Sequence, residues 1–187
     1  MKLTRSALGA SAVIGCLTLV ARGLVVIDVH VGRRRRALGP IERDLAAPPE
    51  QVFDVISAPY LGRTPRAMRH KLEVLERGTD MVLAAHRTPT RLGTTTTVET
   101  VRFERPSRVE FRLVRGPVPE VTETFELSAV ESGTHFTYRG ELSTDFWVVG
   151  QWWGALVARV WERTVEASIE SIAEEAERRS AVSHRRR

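Results

Sequence analysis

The sequence is poor in residues that build covalent links or metal sites. Its single cysteine, Cys16, excludes an internal disulfide and any cysteine-rich metal site. The five histidines are scattered along the chain and lack the spacing of metal ligands. We therefore expect neither a metal ion nor another cofactor.

Familiar catalytic motifs are absent as well. The chain has no GxSxG nucleophile elbow, no phosphate-binding P-loop, no GxGxxG dinucleotide motif and no HExxH metalloprotease motif. These absences argue against the common hydrolase and nucleotide-binding enzymes, so the sequence favours a binding domain over an enzyme.

The basic excess is confined to the two ends of the chain. The formal net charge is +5, but residues 1–36 and 185–187 hold ten of the 28 basic residues and one of the 23 acidic residues. The residues between them carry more acidic than basic groups. Nucleic-acid-binding domains usually carry the basic excess on the folded surface, so we expect no nucleic-acid partner.

An apolar stretch, Leu8–Val31, follows the N-terminus and is long enough to cross a bilayer. It contains Arg22 and Asp28, which a spanning helix would place near the head groups. Arg33–Arg36 follow it, and basic residues beside a span favour the cytoplasmic side. The sequence thus predicts one transmembrane helix in residues 8–31, with the C-terminal domain at the cytoplasmic face of the cell membrane.

Three alternatives for this stretch stay open. It could be a cleaved signal peptide, since Lys2 and Arg5 precede the apolar residues. Val13–Cys16 is similar to a bacterial lipobox, which would place a lipid on Cys16. Leu24–Val31 is rich in β-branched residues and could form a strand.

The remaining sequence predicts one α+β domain over residues 37–180 and a basic tail over residues 181–187. A short strand candidate, Pro40–Leu45, leads into a helix that begins at Pro48–Glu50. Six more β-rich runs follow between short turn signals, as in an antiparallel meander. A long helix then extends from Thr144 or Asp145 to the region of Arg179.

Two segments give this order a family resemblance. Ile41–Ile56, IERDLAAPPEQVFDVI, resembles the strand and Ala-Pro-x-x-x-Val-Phe helix that open START-like domains, and Arg105–Arg112 resembles their Pro-x-Arg hairpin. This superfamily includes polyketide cyclases, Bet v 1 and lipid-transfer domains. The resemblance implies a helix-grip fold, in which an antiparallel sheet wraps around a long C-terminal helix. It also implies a ligand cavity between the sheet and that helix.

Strand alternation selects the side chains that face this cavity, because successive residues of a strand point to opposite faces. Polar residues that share the inward side with apolar neighbours are candidate ligand anchors or acid–base groups. The strands contribute His86, Glu99, Phe111, Glu123, Phe125 and Tyr138 as candidate ligand-binding residues. The implied cavity adds Val149, Trp153, Leu156 and Val160 from the final helix.

The first turns of that helix carry apolar residues on nearly all sides. Trp147 and Trp152 point in nearly opposite directions at about 100° per residue, so one helix face contacts something besides the sheet. Tryptophan favours membrane interfaces, which predicts contact of Trp147 and Trp152 with the membrane. Cover by the N-terminal segment or by a second subunit is the alternative.

These patterns together predict a membrane-tethered domain that carries or senses a small hydrophobic molecule or lipid. One alternative is a cyclase/dehydratase-type enzyme that uses an inward acid such as Glu99 or Glu123. A second alternative is a scaffold that binds another membrane protein through the tryptophans.

Overall fold

The computed structural model describes residues 14–62, 64, 66–90 and 93–184. Its centre is a seven-stranded antiparallel sheet in the order β1-β7-β6-β5-β4-β3-β2. The helices are α1 (residues 14–21 as described), α2 (Pro49–Leu61) and α3 (Trp147–His184). The strands are β1 (Arg34–Leu45), β2 (Leu72–Arg77), β3 (Met81–Thr90), β4 (Gly93–Glu104), β5 (Arg108–Arg115), β6 (Glu120–Val130) and β7 (Gly133–Thr144).

The core lies between one face of this sheet and the two helices α2 and α3. Alternate residues of the strands are buried there, as the period-2 pattern predicts. The predicted meander and long terminal helix are therefore confirmed, and the fold is the helix grip. Fully buried side chains of the core include Val52, Phe53, Val101, Val109, Phe136, Tyr138, Leu142 and Ile169.

Strand β1 begins six residues earlier than the predicted Pro40. Arg34, Arg35 and Arg36 pair with Thr144, Ser143 and Leu142 of β7, so these arginines belong to the sheet. The register shifts between Leu38 and Ile41, around Gly39 and Pro40. A bulge suits this position because proline has no N–H to give to a ladder.

Helix α1 ends in a Schellman motif. Leu24 N–H donates to Leu19 O, and Gly23 N–H donates to Val20 O. Gly23 adopts a left-handed φ of 66°, and a Cβ atom there would lie 2.0 Å from Thr96 O. Glycine is thus required both by the turn and by the approach of β4, and the helix stops at residue 21.

The predicted helix over residues 8–31 is consequently wrong for residues 22–31, while residues 8–13 lie outside the described residues. Residues 24–31 form neither helix nor strand, which also overturns the strand alternative. No helix within the described part of the chain combines the length and the apolarity that a membrane crossing needs.

The segment of residues 24–33, termed the strap, crosses one end of the sheet. It starts beside β4, where Thr96 N–H donates to Arg22 O, and it ends where β1 pairs with β7. Asp145, which follows β7, holds its far end. The Asp145 carboxylate accepts hydrogen bonds from the backbone N–H groups of Val29 and His30 and from Arg33 Nε.

Asp145 therefore fastens the strap instead of capping α3. That helix begins at Trp147, two residues after Asp145 and three after Thr144, the two predicted starts. Its side chain is almost completely buried, and Arg33 also contacts Asp28. The hydrogen bond from Arg33 and the two backbone N–H groups hold the pKa of Asp145 below its usual value, against the opposing effect of burial.

Gly23→Ala should loosen the junction between the strap and β4. A left-handed alanine costs about 1–2 kcal/mol, and its methyl group would collide with Thr96 O. We expect hydrogen exchange at the Thr96 amide to accelerate by about fivefold or more. Gly15→Ala is the matched control, because Gly15 is helical and has open space around it. Equal Thr96 exchange in the two variants would contradict the role given to Gly23.

Candidate functional site

Glu123 is a carboxylate buried on the inner face of β6. Two donors converge on its Oε1 atom: Tyr138 Oη at 2.8 Å and Trp161 Nε1 at 2.7 Å. Tyr138 lies on the neighbouring strand β7 and Trp161 on α3, so the three residues link the sheet to the helix. Glu123 thus sits in the space where the family resemblance implies a ligand.

Burial has a strong effect on the proton affinity of Glu123. Loss of hydration raises the pKa of the carboxyl to about 7, and the negative charge of Glu99 acts in the same direction. The hydrogen bonds from Trp161 and Tyr138 oppose the rise without cancelling it. Near neutral pH the Glu123 carboxyl can therefore either donate or accept a proton.

A second polar group lies on the same face of the sheet, and β5 separates it from Glu123 of β6. Glu99 of β4 is buried, and its Oε2 atom lies 3.1 Å from His86 Nδ1. His86 Nε2 lies 2.9 Å from Tyr60 Oη. Tyr60 belongs to α2, so this group connects the sheet to the other helix.

Glu99 and His86 stabilise each other as an ion pair. Burial alone would raise the pKa of Glu99 and lower the pKa of His86, but the attraction between the two charges outweighs it in both cases. The pKa of Glu99 is lowered and the pKa of His86 is raised. The inner face of the sheet therefore holds two different groups. One is the ion pair of Glu99 with His86, and the other is the Glu123 carboxyl, whose pKa lies near neutral pH.

Aromatic rings surround the Glu123 group. The ring of Phe125 lies 5.0 Å from Phe111, 5.1 Å from Phe136 and 5.8 Å from Tyr138, measured between centroids. These are the usual distances of packed aromatic pairs. The inner face beside Glu123 is therefore lined by packed aromatic rings.

The sequence matches the model of one protein family over residues 41–177, which is well over half of the chain. The family is described as polyketide cyclase/dehydrase and lipid transport. The chain belongs to this family. The resemblance read from Ile41–Ile56 and Arg105–Arg112 is thereby confirmed. Among curated proteins, none matches the chain significantly.

Solved structures place the polyketide cyclase/dehydrase domain among Bet v 1-like folds. The Zhui aromatase/cyclase from Streptomyces sp. R1128 is 16% identical with a TM-score of 0.60, covering 79% of this chain and 96% of its own. The protein TTHA0849 from Thermus thermophilus is 18% identical with a TM-score of 0.55, covering 77% and 94%. SA2116 from Staphylococcus aureus is 11% identical with a TM-score of 0.53, covering 82% and 98%. At these identities the likeness concerns the fold.

The ten candidate residues of this polyketide cyclase/dehydrase domain separate into two sets. Those from the strands cluster on the inner face around Glu99 and Glu123. Trp153 is half-buried at one end of the cluster, where its Nε1 donates to Pro117 O at 2.7 Å. Val149, Leu156 and Val160 lie on the exposed side of α3, so the structure does not bring them to the cluster.

Two residues of the cluster were missed by sequence reasoning. Trp161 lies on the apolar stripe of α3, and only its indole N–H indicated a polar partner. Tyr60 follows Pro59 in the last turn of α2, which ends at Leu61. A tyrosine in the last turn of a buried helix was the available signal.

Two surface grooves lie beside α2, away from the Glu123 cluster. One has a volume of about 580 Å³ and runs from Phe53 and Asp54 to Arg105 and Arg179. The other, about 500 Å³, lies between Gly62 and Arg77. None of the ten candidate residues lines either groove.

Proposed function

We propose that this polyketide cyclase/dehydrase-family domain binds a small, largely apolar molecule between the sheet and α3, and that Glu123 anchors its polar group. The observation that carries the proposal is the buried Glu123 carboxyl with its two donors on one oxygen. Ligand sites are mostly apolar with a few convergent polar groups. The aromatic residues around Glu123 supply the apolar part.

The arrangement at Glu123 favours a ligand with a hydroxyl or carbonyl group. Tyr138 and Trp161 both donate to Oε1, so a ligand would use Oε2. As a carboxylate, Oε2 accepts a hydrogen bond from a hydroxyl. As a protonated acid, the same group donates to a carbonyl. Since the pKa lies at about 7, both forms are accessible near neutral pH.

A pair of probes tests this anchor. We expect the protein to bind 2-naphthol about tenfold more tightly than 2-methoxynaphthalene at about pH 8, because hydrogen bonds to charged groups are strong. Glu123→Gln should abolish this preference, since the amide can keep its oxygen toward Tyr138 and Trp161 while presenting an N–H₂ group at the Oε2 position. Isothermal titration calorimetry measures both affinities.

Glu126→Gln serves as the matched control, because Glu126 lies on the same strand but on the outer face. It should keep the preference for 2-naphthol. Equal affinity of the two probes in the unaltered protein would contradict the role of Glu123 as an anchor.

Cyclisation or dehydration chemistry is a second candidate function, favoured by the pKa of Glu123. General acid–base catalysis works best when the pKa of the group lies near the working pH, and the value of about 7 satisfies this condition. The similarly folded Zhui protein is an aromatase/cyclase. Incubation with a short poly-β-ketone ester tests this candidate: cyclisation would release one water, and mass spectrometry would detect the loss. An enzyme acting through Glu123 would lose this product in Glu123→Gln, whereas a carrier would return the ester unchanged.

A further inference from the structure

The strap exposes apolar side chains where a folded domain usually presents polar ones. Val25, Ile27, Val29 and Val31 are each 37–49% exposed. The strap is nevertheless fixed, because Asp145 binds its backbone at two N–H groups. These four side chains are therefore held outward by a fixed segment.

The first turns of α3 expose a second apolar surface. Val148, Val149, Trp152 and Leu156 fall within an arc of about 100° on the helix, and Trp152 is 80% exposed. The opposite arc contains Gly154 and Val157, which are buried against the fold. The outward arc is thus a true outer face of the helix.

These two surfaces are joined into one. Phe146 N–H donates to Val31 O at 2.7 Å, and Trp147 N–H donates to Gly32 O at 3.0 Å. The Trp147 ring packs directly against Gly32, where even a Cβ atom would collide with it. We call this combined surface the outer apolar face, made of Val25, Ile27, Val29, Val31, Val148, Val149, Trp152 and Leu156.

Basic groups border the outer apolar face. Arg34 and Arg36 are exposed at the start of β1, beside the residues of β7 that lead into α3. Arg159 and Arg163 are exposed on the same side of α3, one and two turns beyond Leu156. Acidic groups are present too. Asp28 pairs with Arg33, and Glu141 pairs with Arg35. Glu162 and Glu166 lie beside Arg163 on α3, and Glu162 accepts a hydrogen bond from Gly39 N–H. The four exposed arginines outnumber these two acids. The border therefore favours an anionic partner.

We propose that the outer apolar face rests on the surface of an anionic lipid bilayer, as a contact that does not cross it. Large exposed apolar surfaces mark interaction sites, and tryptophan with flanking arginine suits the head-group boundary. The sequence of residues 1–13 also suits contact with an anionic bilayer, because Lys2 and Arg5 precede an apolar run. That run leads directly into α1, whose Ile14 and Leu17 are exposed.

Vesicle sedimentation of the full chain tests this surface. The protein should sediment with vesicles of phosphatidylcholine and phosphatidylglycerol more strongly than with phosphatidylcholine alone. The double substitution Trp152→Gln with Leu156→Gln should lower the partition coefficient by about tenfold or more, since two large apolar side chains lose their burial. Arg34→Gln with Arg36→Gln should lower it by about tenfold, and only on the anionic vesicles.

Leu75→Gln with Val114→Gln is the matched control, because both residues are exposed and apolar but lie on β2 and β5. It should bind vesicles like the unaltered protein. The proposal is overturned if Trp152→Gln with Leu156→Gln sediments unchanged, because residues 1–13 would then account for the binding. It is also overturned if the protein ignores anionic vesicles while the same variant dissociates a dimer, because a second copy would then cover the face.

Discussion

Replacing Glu123 with glutamine is expected to remove a stability penalty that grows with pH. The pKa of the folded carboxyl is about 7, against an ordinary value of 4.5. The folded protein thus holds this proton more tightly than the unfolded chain. Protonation of Glu123 stabilises the fold fully below about pH 4.5, and this contribution is lost as the pH rises through about 7.

Glu123→Gln should therefore match the unaltered protein at about pH 5 and exceed its free energy of unfolding by about 3 kcal/mol at about pH 8. Urea denaturation over this pH range measures the difference between the two proteins. The variant is compared with the unaltered protein at each pH because other groups also make the free energy of unfolding depend on pH. Glu99 and Asp145 have lowered pKa values, so their contribution to stability rises with pH, opposite to that of Glu123.

Glu126→Gln supplies the control, as an outer-face substitution on the same strand. It should not reproduce the gain of about 3 kcal/mol that Glu123→Gln shows at about pH 8. If Glu123→Gln shows no such gain either, Glu123 is ionised at both pH values and the acid–base argument at this residue fails.

Loss of the Asp145 carboxylate should have an effect of similar size. Asp145→Ala leaves Arg33 and the amides of Val29 and His30 without their common acceptor. Breaking a buried ion pair by removing one partner costs about 3–5 kcal/mol, so we expect a loss of about 3 kcal/mol in the free energy of unfolding. Denaturation at neutral pH measures it. The loss should shrink as the pH falls through the lowered pKa of Asp145. The Asp145 side chain of the unaltered protein is then protonated, so both proteins lack the negative charge.

Asp54→Ala provides the comparison for this result. Asp54 pairs with Arg105 at a site where both side chains are about half exposed, and exposed pairs contribute less than about 1 kcal/mol. If Asp145→Ala costs no more than Asp54→Ala, the strap is not fastened by Asp145.

Much of the fold could be predicted from the sequence because the strands obey a simple period. Val109, Phe111 and Leu113 alternate with charged residues, and this alternation placed them inward correctly. The helix predicted over residues 8–31 is wrong for residues 22–31 because apolar length and flanking charge do not reveal where a helix ends. Gly23 follows the last helical turn, and glycine at that position commonly ends a helix. Arg22–Gly23 was therefore a stop signal inside the presumed span.

The site could be predicted only in part, for a similar reason. Strand parity brought Glu99, Glu123 and Tyr138 together, because sheet register follows from the same period. The sequence period of a helix does not by itself tell which of its sides faces the sheet. Trp153 and Trp161 face the sheet while Leu156 and Val160 face outward, and that rotation is set by contacts such as the approach of Gly154 to Thr144, which depend on tertiary structure.

The pairing of β1 with β7 has a consequence for the order in which the protein forms during synthesis. Among the described strands, β1 is an edge strand that pairs with β7 alone, so it finds this partner only after Thr144 has been made. The strap also cannot be fastened earlier, because Asp145 lies 116 residues after Val29. Pairings so distant in sequence close late in folding. For most of translation the apolar strap and the arginines after it therefore lack the partners that hold them in the folded domain.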